Sequence, residues 1–312
     1  MTAGPLEWWP PLAVACFDDL VAYRLVGASA CADRITEALV SIAVEAQSRQ
    51  RDVAGDVGGA GRLFCGLKPD TALYRNLAAS LREAARGGAG EVQRAARELS
   101  EYRRAAQASV VAHTEALLED ADTLLVHDYS SMVMRVLDGL ATKRPRRIVV
   151  TAGEPLGQGA RVARQAAARG HKITYAPDMS VARVIDSVDG FITGVESFYA
   201  DGSLTNTVGT RMLSLLCREA GVPVIAPAET LKCDADRATV TEAALSACLL
   251  HPWPTAEIAL DGNWTAVQFV LDAVPASLVT TYATETGTCL PGDVGAAARA
   301  VLARYSIQLW CP

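Results

Sequence analysis

The chain has 312 residues, 50% hydrophobic, 21% charged and 6% aromatic, with a formal net charge of −6. This composition excludes a disordered chain, the acidic balance offers nothing to a phosphate backbone, so nucleic acid is not an expected partner, and no apolar run reaches the roughly 18 residues of a membrane span. The start, MTAGPLEWWPPLAVACFDDL, lacks the basic segment and clean apolar stretch of a leader, so a cytoplasmic protein without membrane contact is expected.

Up to about residue 120 the pattern is helical. Apolar positions recur at three- and four-residue spacing through ACADRITEALVSIAVEAQ and TALYRNLAASLREAARGG. EVQRAARELSEYRRAAQASVVAHTEALLED then keeps Leu, Ala, Tyr and Val on one stripe and predicts one long helix closing a first lobe. After Asp122 the texture changes: TLLVH, RRIVVTA, KITYA, GFITG and PVIAPA read as strands, each followed by ten or more helix-compatible residues. Runs apolar on both faces predict strands covered by helices on both sides. The fold class is therefore α/β: a helical N-terminal lobe over residues 1–120, then a Rossmann-like, doubly wound, mostly parallel sheet over 121–312. A last segment carries WTAVQFVLDAV, PASLVTTYATETG and a terminal helix PGDVGAAARAVLARY, apolar enough for either a subunit interface or an intramolecular pack.

Ligands of open parallel sheets bind outside the carboxyl ends of the strands, so the residue following each strand is the first candidate. Asp128 follows TLLVH, Glu154 follows IVVTAG, Asp178 follows ITYAP, Glu196 follows FITGV and Glu229 follows VIAPA. Singly, each acid fits a helix cap equally well; together they offer carboxyls whose pKa values neighbours push apart, the basis of acid/base work. His127 adjoins Asp128 and faces the other way, as a structural histidine would. Arg62, Lys68 and Arg75 are either anion clamps or solvated surface charge. GEPLGQGARVARQ resembles a dinucleotide fingerprint through Gly157 and Gly159, but Val162 stands at the third glycine position. The eight cysteines, at 16, 31, 65, 217, 233, 248, 289 and 311, make no CxxC or His-spaced set. Neither a cofactor nor a metal is called for.

The ordered series GGAGRL, LKPDTALYRNL, VHDYSSMVMRVL, VVTAGEPLGQGARVA, APDMS, GVES, DGSLTNTVGT and APAET resembles the methylthioribose-1-phosphate and ribose-1,5-bisphosphate isomerases and the alpha, beta and delta subunits of translation initiation factor 2B. The resemblance runs from about residue 55 to the end. It implies an active site between the two lobes, a homodimer through the C-terminal lobe and, in the enzyme branch, aldose-phosphate to ketose-phosphate isomerisation. It implies a catalytic cysteine at position 128 and aspartate at position 196, where this chain has Asp128 and Glu196. It also implies cations where this chain has Gly58, Glu154 and Thr207, while Gln158, Arg161, Asp178, Asn206, Gly209, Thr210, Lys68 and Arg75 stay similar.

Two functions are open. One is an isomerase-like or lyase-like enzyme with Asp128 as base and Glu196 as acid. Arg62, Lys68, Arg75, Glu154, Gln158, Arg161, Asp178, Asn206 and Thr207 would contact a small polar metabolite, less anionic than a sugar phosphate or bearing an amine. The other is a non-catalytic metabolite-binding or assembly subunit.

Overall fold

The computed structural model describes residues 7–305 apart from 23, 26, 241–244 and 246–268. Five helices come first: α1 (Pro11–Val21), α2 (Ala28–Ser48), α3 (Val53–Leu67), α4 (Ala72–Ala84) and α5 (Ala89–Leu117). In α2 the residues Cys31, Ile35, Leu39, Ile42 and Ala46 are buried, and in α5 Val92, Ala96, Leu99, Arg103, Ala106 and Val110 are. Their spacing of three or four keeps one stripe inward over the whole length of each helix.

The second lobe alternates strands with helices: β1 (Thr123–Val126), α6 (Ser131–Lys143), β2 (Arg147–Thr151), α7 (Gly159–Ala168), β3 (Lys172–Ala176), β4 (Gly190–Ile192), β5 (Ser197–Tyr199), β6 (Leu204–Thr207), α8 (Thr210–Glu219), β7 (Val224–Pro227), β8 (Cys233–Asp234), β9 (Leu271–Val274), β10 (Thr281–Thr284), β11 (Gly287–Cys289) and α9 (Pro291–Arg304). The seven-stranded sheet runs β11-β10-β7-β4-β1-β2-β3. All its pairings are parallel except the β10–β11 hairpin. Chain order reverses between β1 and β4, which opens the crevice a doubly wound sheet offers to ligands. Leu124, Val126, Ile148 and Val150 pack under Val133, Leu137 and Val162 of α6 and α7; Leu125, Val149 and Phe191 face the other way, onto Leu213 and Cys217 of α8. A third cluster joins the helical lobe to Phe198, Leu204, Leu231 and Tyr282, so the two lobes share one apolar core.

Three expectations are corrected. β3 is followed by short 3-10 turns, Asp178–Arg183 and Ile185–Ser187, and the strand is largely exposed, being an edge paired only with β2. β4 is followed first by a hairpin: Asp201 and Gly202, the latter at φ 81°, turn SFY back on LTNT, a strong two-strand signal that the motif reading passed over. That hairpin, extended by β8 and β9, forms a second four-stranded sheet of order β8-β5-β6-β9. β7 is followed by a 3-10 turn, Thr230–Lys232, and β8, because Glu229 is drawn inward by a buried cation described below. Of WTAVQFVLDAV, residues 264–268 lie outside the described residues, as do Cys248 and Cys311, and Leu271–Val274 is β9.

Candidate functional site

Asp128 sits directly behind β1, beside the switch point, at φ 58°. Asp and Asn are the non-glycine residues that tolerate this left-handed conformation best. The residue is 5% exposed; Oδ2 accepts from the Thr207 hydroxyl at 2.6 Å, whereas Oδ1 is buried without a hydrogen-bond partner. Burial pushes the carboxyl above the usual carboxylate range, Asp178 adds to the rise, and the Thr207 bond, the Tyr129 amide and the nearby His127 oppose it. Gly153, at φ 74°, presses against the same carboxyl, since a Cβ there would stand 3.1 Å from Oδ1.

His127 braces this corner from the other side. Its Nδ1 meets the Thr151 hydroxyl at 2.6 Å and its Nε2 the Val208 carbonyl at 2.8 Å, so both ring nitrogens hold neighbouring loops together. Asp178 is occupied likewise: its two oxygens accept from the backbone amides of Gly153 and Glu154 at 2.8 and 2.9 Å and hold the loop after β2 in place. Glu154 itself is exposed. Gln158 precedes α7 with its amide turned back 3.4 Å from the Leu156 carbonyl, and the Arg161 guanidinium lies 3.9 Å from the centre of the Tyr129 ring. Asn206 donates to the Thr210 hydroxyl at 2.9 Å, and its Oδ1 would be 2.8 Å from a Cβ on Gly194, so the glycine of GVES permits that contact.

Glu196 lies where the two lobes meet. Its Oε1 accepts from the Thr71 hydroxyl of the helical lobe, while its own amide donates to the Thr205 carbonyl at 2.8 Å. Ser197 beside it accepts from the Ala72 amide at 2.8 Å and donates to the Asp70 carbonyl. Among the described residues no hydrogen bond joins Asp128 to Glu196. Both are nevertheless anchored on β6, one at Thr205 and the other at Thr207, two residues apart and roughly 7 Å along the strand.

The other expected contributors divide. Glu229 is fully buried; it takes Arg103 Nε at 3.1 Å and Gln107 Nε2 at 2.9 Å, so it belongs to an ion pair between α5 and the sheet and leaves the rim. Arg75 is bound to Asp234 at 2.6 Å and to the Pro69 carbonyl, a lobe-to-lobe tie that keeps the guanidinium off the crevice. Lys68 is half-buried and ends α3; Arg62 is exposed on that helix. Gly58 lies mid-helix, where a Cβ would stand 3.1 Å from Arg82 Cδ. Sequence reasoning missed Thr71, Arg103 and Lys232. Lys232 had one signal, a lone lysine close behind the apolar run VIAPA; Thr71 and Arg103 had none, since each acts across the lobe boundary.

Among the described residues, no three side chains of His, Cys, Asp or Glu converge as a metal site requires, and no helix is long and apolar enough to cross a membrane. The chain matches the Initiation factor 2 subunit family over residues 30–291. It is 28% identical over 239 residues to a ribose 1,5-bisphosphate isomerase of Haloterrigena turkmenica, covering 73% of this chain and 72% of that one. Among solved structures it resembles the Pyrococcus horikoshii translation initiation factor eIF-2B, with TM-score 0.74 and 20% identity over 90% of this chain and 98% of that one. It also resembles the 5-methylthioribose 1-phosphate isomerase of Pyrococcus horikoshii, with TM-score 0.70 and 17% identity over 94% of this chain and 87% of that one. With the match running through most of its length, and with a helical lobe set on a mostly parallel sheet as in these structures, the chain belongs to the initiation factor 2 subunit family.

Proposed function

We propose that the chain is an isomerase-type enzyme that moves a proton on a small sugar-like or amino-bearing metabolite through the carboxyls of Asp128 and Glu196. The observation that carries this reading is Asp128: a buried carboxyl behind β1, in a left-handed backbone conformation, with one oxygen unpartnered and a raised pKa. Such a group is unfavourable for folding, and burial of this kind is how a carboxyl is tuned for proton transfer. Thr207 orients it, and Asn206, Gln158, Arg161 and Asp178 shape the surrounding loops.

A ligand less anionic than the sugar phosphates of the relatives is part of the proposal. Gly58 faces Arg82, Glu154 carries a negative charge, Thr207 bonds Asp128, and Arg75 is held by Asp234, so none of these four positions supplies a free cation to the rim. Charge-assisted donors are worth about 1.5–3 kcal/mol each. A homodimer is also part of the reading, and light scattering that returned a monomer would remove it. Thermal-shift screening against sugars, sugar phosphates, nucleosides and amino sugars is the first test, because a specific binder raises the melting temperature. Low-micromolar binding of ribose 1,5-bisphosphate or methylthioribose 1-phosphate would overturn the altered ligand class, and turnover of a confirmed substrate by Asp128→Asn would overturn the catalytic assignment.

A second reading, a non-catalytic metabolite-binding or assembly subunit, draws on the fact that Asp178, Glu229, Arg75 and His127 are all engaged in holding the protein together. It expects ligand binding without conversion, which NMR of the bound metabolite over hours distinguishes.

A further inference from the structure

α8 begins behind β6 at Gly209, whose φ of 100° turns the chain into a helix that has no side-chain cap from its own first residues. Because α8 leads back into the parallel strand β7, its N-terminus lies at the carboxyl edge of the sheet, where the crevice opens. A left-handed residue followed by a helical one makes a concavity of amides of the kind that holds anions. Here it is already filled: the amides of Gly209 and Arg211 both donate to Asp272 Oδ2, at 2.9 and 3.0 Å. Asp272 is half-buried and comes from β9, opposite Asn206 in the β6–β9 pairing. The same stretch of chain walls the crevice, since Thr207 bonds Asp128, Asn206 bonds Thr210, and a Cβ on Gly209 would stand 2.8 Å from the His127 ring. One buried oxygen of that wall, Asp128 Oδ1, is left without a hydrogen-bond partner and marks where a ligand would be met. Capping α8 needs only an acceptor oxygen, which Asn or Ser would supply; a carboxylate also brings the charge that a phosphate would bring.

We propose that Asp272 is a specificity-determining residue, whose carboxylate fills the anion position of the crevice from within and bars ligands that carry a phosphate there. The proposal rests on the reading of a less anionic ligand given above and names the group that enforces it. Missing cations only weaken the capture of a phosphate. An internal carboxylate opposes it directly, because a phosphate on the Gly209 and Arg211 amides has to displace Asp272 and then sits beside its charge. A neutral polyol meets no such competitor, and a ligand amine is attracted to the same carboxylate. The class of ligand that fits is therefore an unphosphorylated sugar-like or amino-bearing molecule.

Inorganic phosphate is the probe, titrated into the full chain at constant ionic strength with chloride as the reference. Its affinity and the amide NMR signals of Gly209 and Arg211 are read in wild type, Asp272→Ala and Asp272→Asn. Asp272→Ala empties the position; Asp272→Asn keeps the shape and an acceptor for both amides, so it folds where the alanine variant does not. Each folded variant is expected to bind phosphate about tenfold or more tighter than wild type, the least that one charge-assisted bond supplies, and to shift the Gly209 and Arg211 amides as it binds. A folded Asp272→Asn with the phosphate affinity of wild type would overturn the proposal, and so would a gain in affinity that leaves those two amides unmoved. The two failures are separate. Low-micromolar binding of a sugar phosphate by wild type removes the ligand class itself, whereas variants that gain nothing remove only the role of Asp272.

Discussion

Replacing Asp128 with Asn is expected to stabilise the protein at neutral pH. The native carboxyl is 95% shielded from solvent, with Oδ2 on Thr207 and Oδ1 unpartnered. A buried group left without a partner costs about 1–3 kcal/mol, more when charged. The amide keeps the shape, keeps an oxygen for the Thr207 hydroxyl and tolerates φ 58°, but carries no charge. A gain of about 1–2 kcal/mol follows. For a chain of this length that is a rise in Tm of roughly 2–4 °C, near the lower end of the sensitivity seen in domains of 150–250 residues. The sign with pH is set by the raised pKa: the neutral acid is tolerated in the fold, so its contribution is complete below the unfolded value of 3.8 and is lost as pH rises through the folded value. The advantage of Asn is therefore small near pH 4 and grows toward pH 8. Scanning calorimetry of both proteins across that range measures it. An Asn variant that melts at or below wild type at pH 8, or a gap that does not change with pH, would show that the carboxyl is not held against its preference.

Thr207→Val removes the hydroxyl from which Asp128 Oδ2 accepts; urea denaturation is expected to show a loss of about 1–3 kcal/mol, and a smaller loss when the same change is made in Asp128→Asn, where the group left behind carries no charge. Glu229→Ala removes the buried carboxylate of Arg103, 4% exposed, and leaves it paired with Asp33 alone, a loss of about 1.5–3 kcal/mol that should appear as a lower denaturation midpoint. Gly209→Ala places a Cβ 2.8 Å from the His127 ring at φ 100°, so Tm is expected to fall and the His127 imidazole NMR signals to move. Alkaline pH is a further test: burial pushes the thiols of Cys65, Cys217 and Cys233 from 9.0 to about 12. Their stabilising contribution is complete below pH 9 and is lost as pH rises toward 12, so urea midpoints are expected to decline above pH 9, less steeply in Cys217→Ala.

Periodicity alone determined the two-part architecture. The stripes of α2 and α5 and the five apolar runs are short-range signals, because a helix or a core strand must repeat its buried face at its own period. Position also came through: Asp128 and Glu196 follow β1 and β4, the strands that flank the switch point, and strand ends are visible in sequence. What each acid does there was decided by tertiary structure. Asp178 and Glu229 follow their strands as Asp128 does, yet one caps two amides and the other neutralises Arg103, a partner 126 positions earlier in the chain. Thr71 reaches Glu196 across 125 positions and Lys232 reaches Val195 across 37. Partners so far apart leave no local trace, and a carboxyl's charge state depends on the burial and neighbours that only the packed lobes supply.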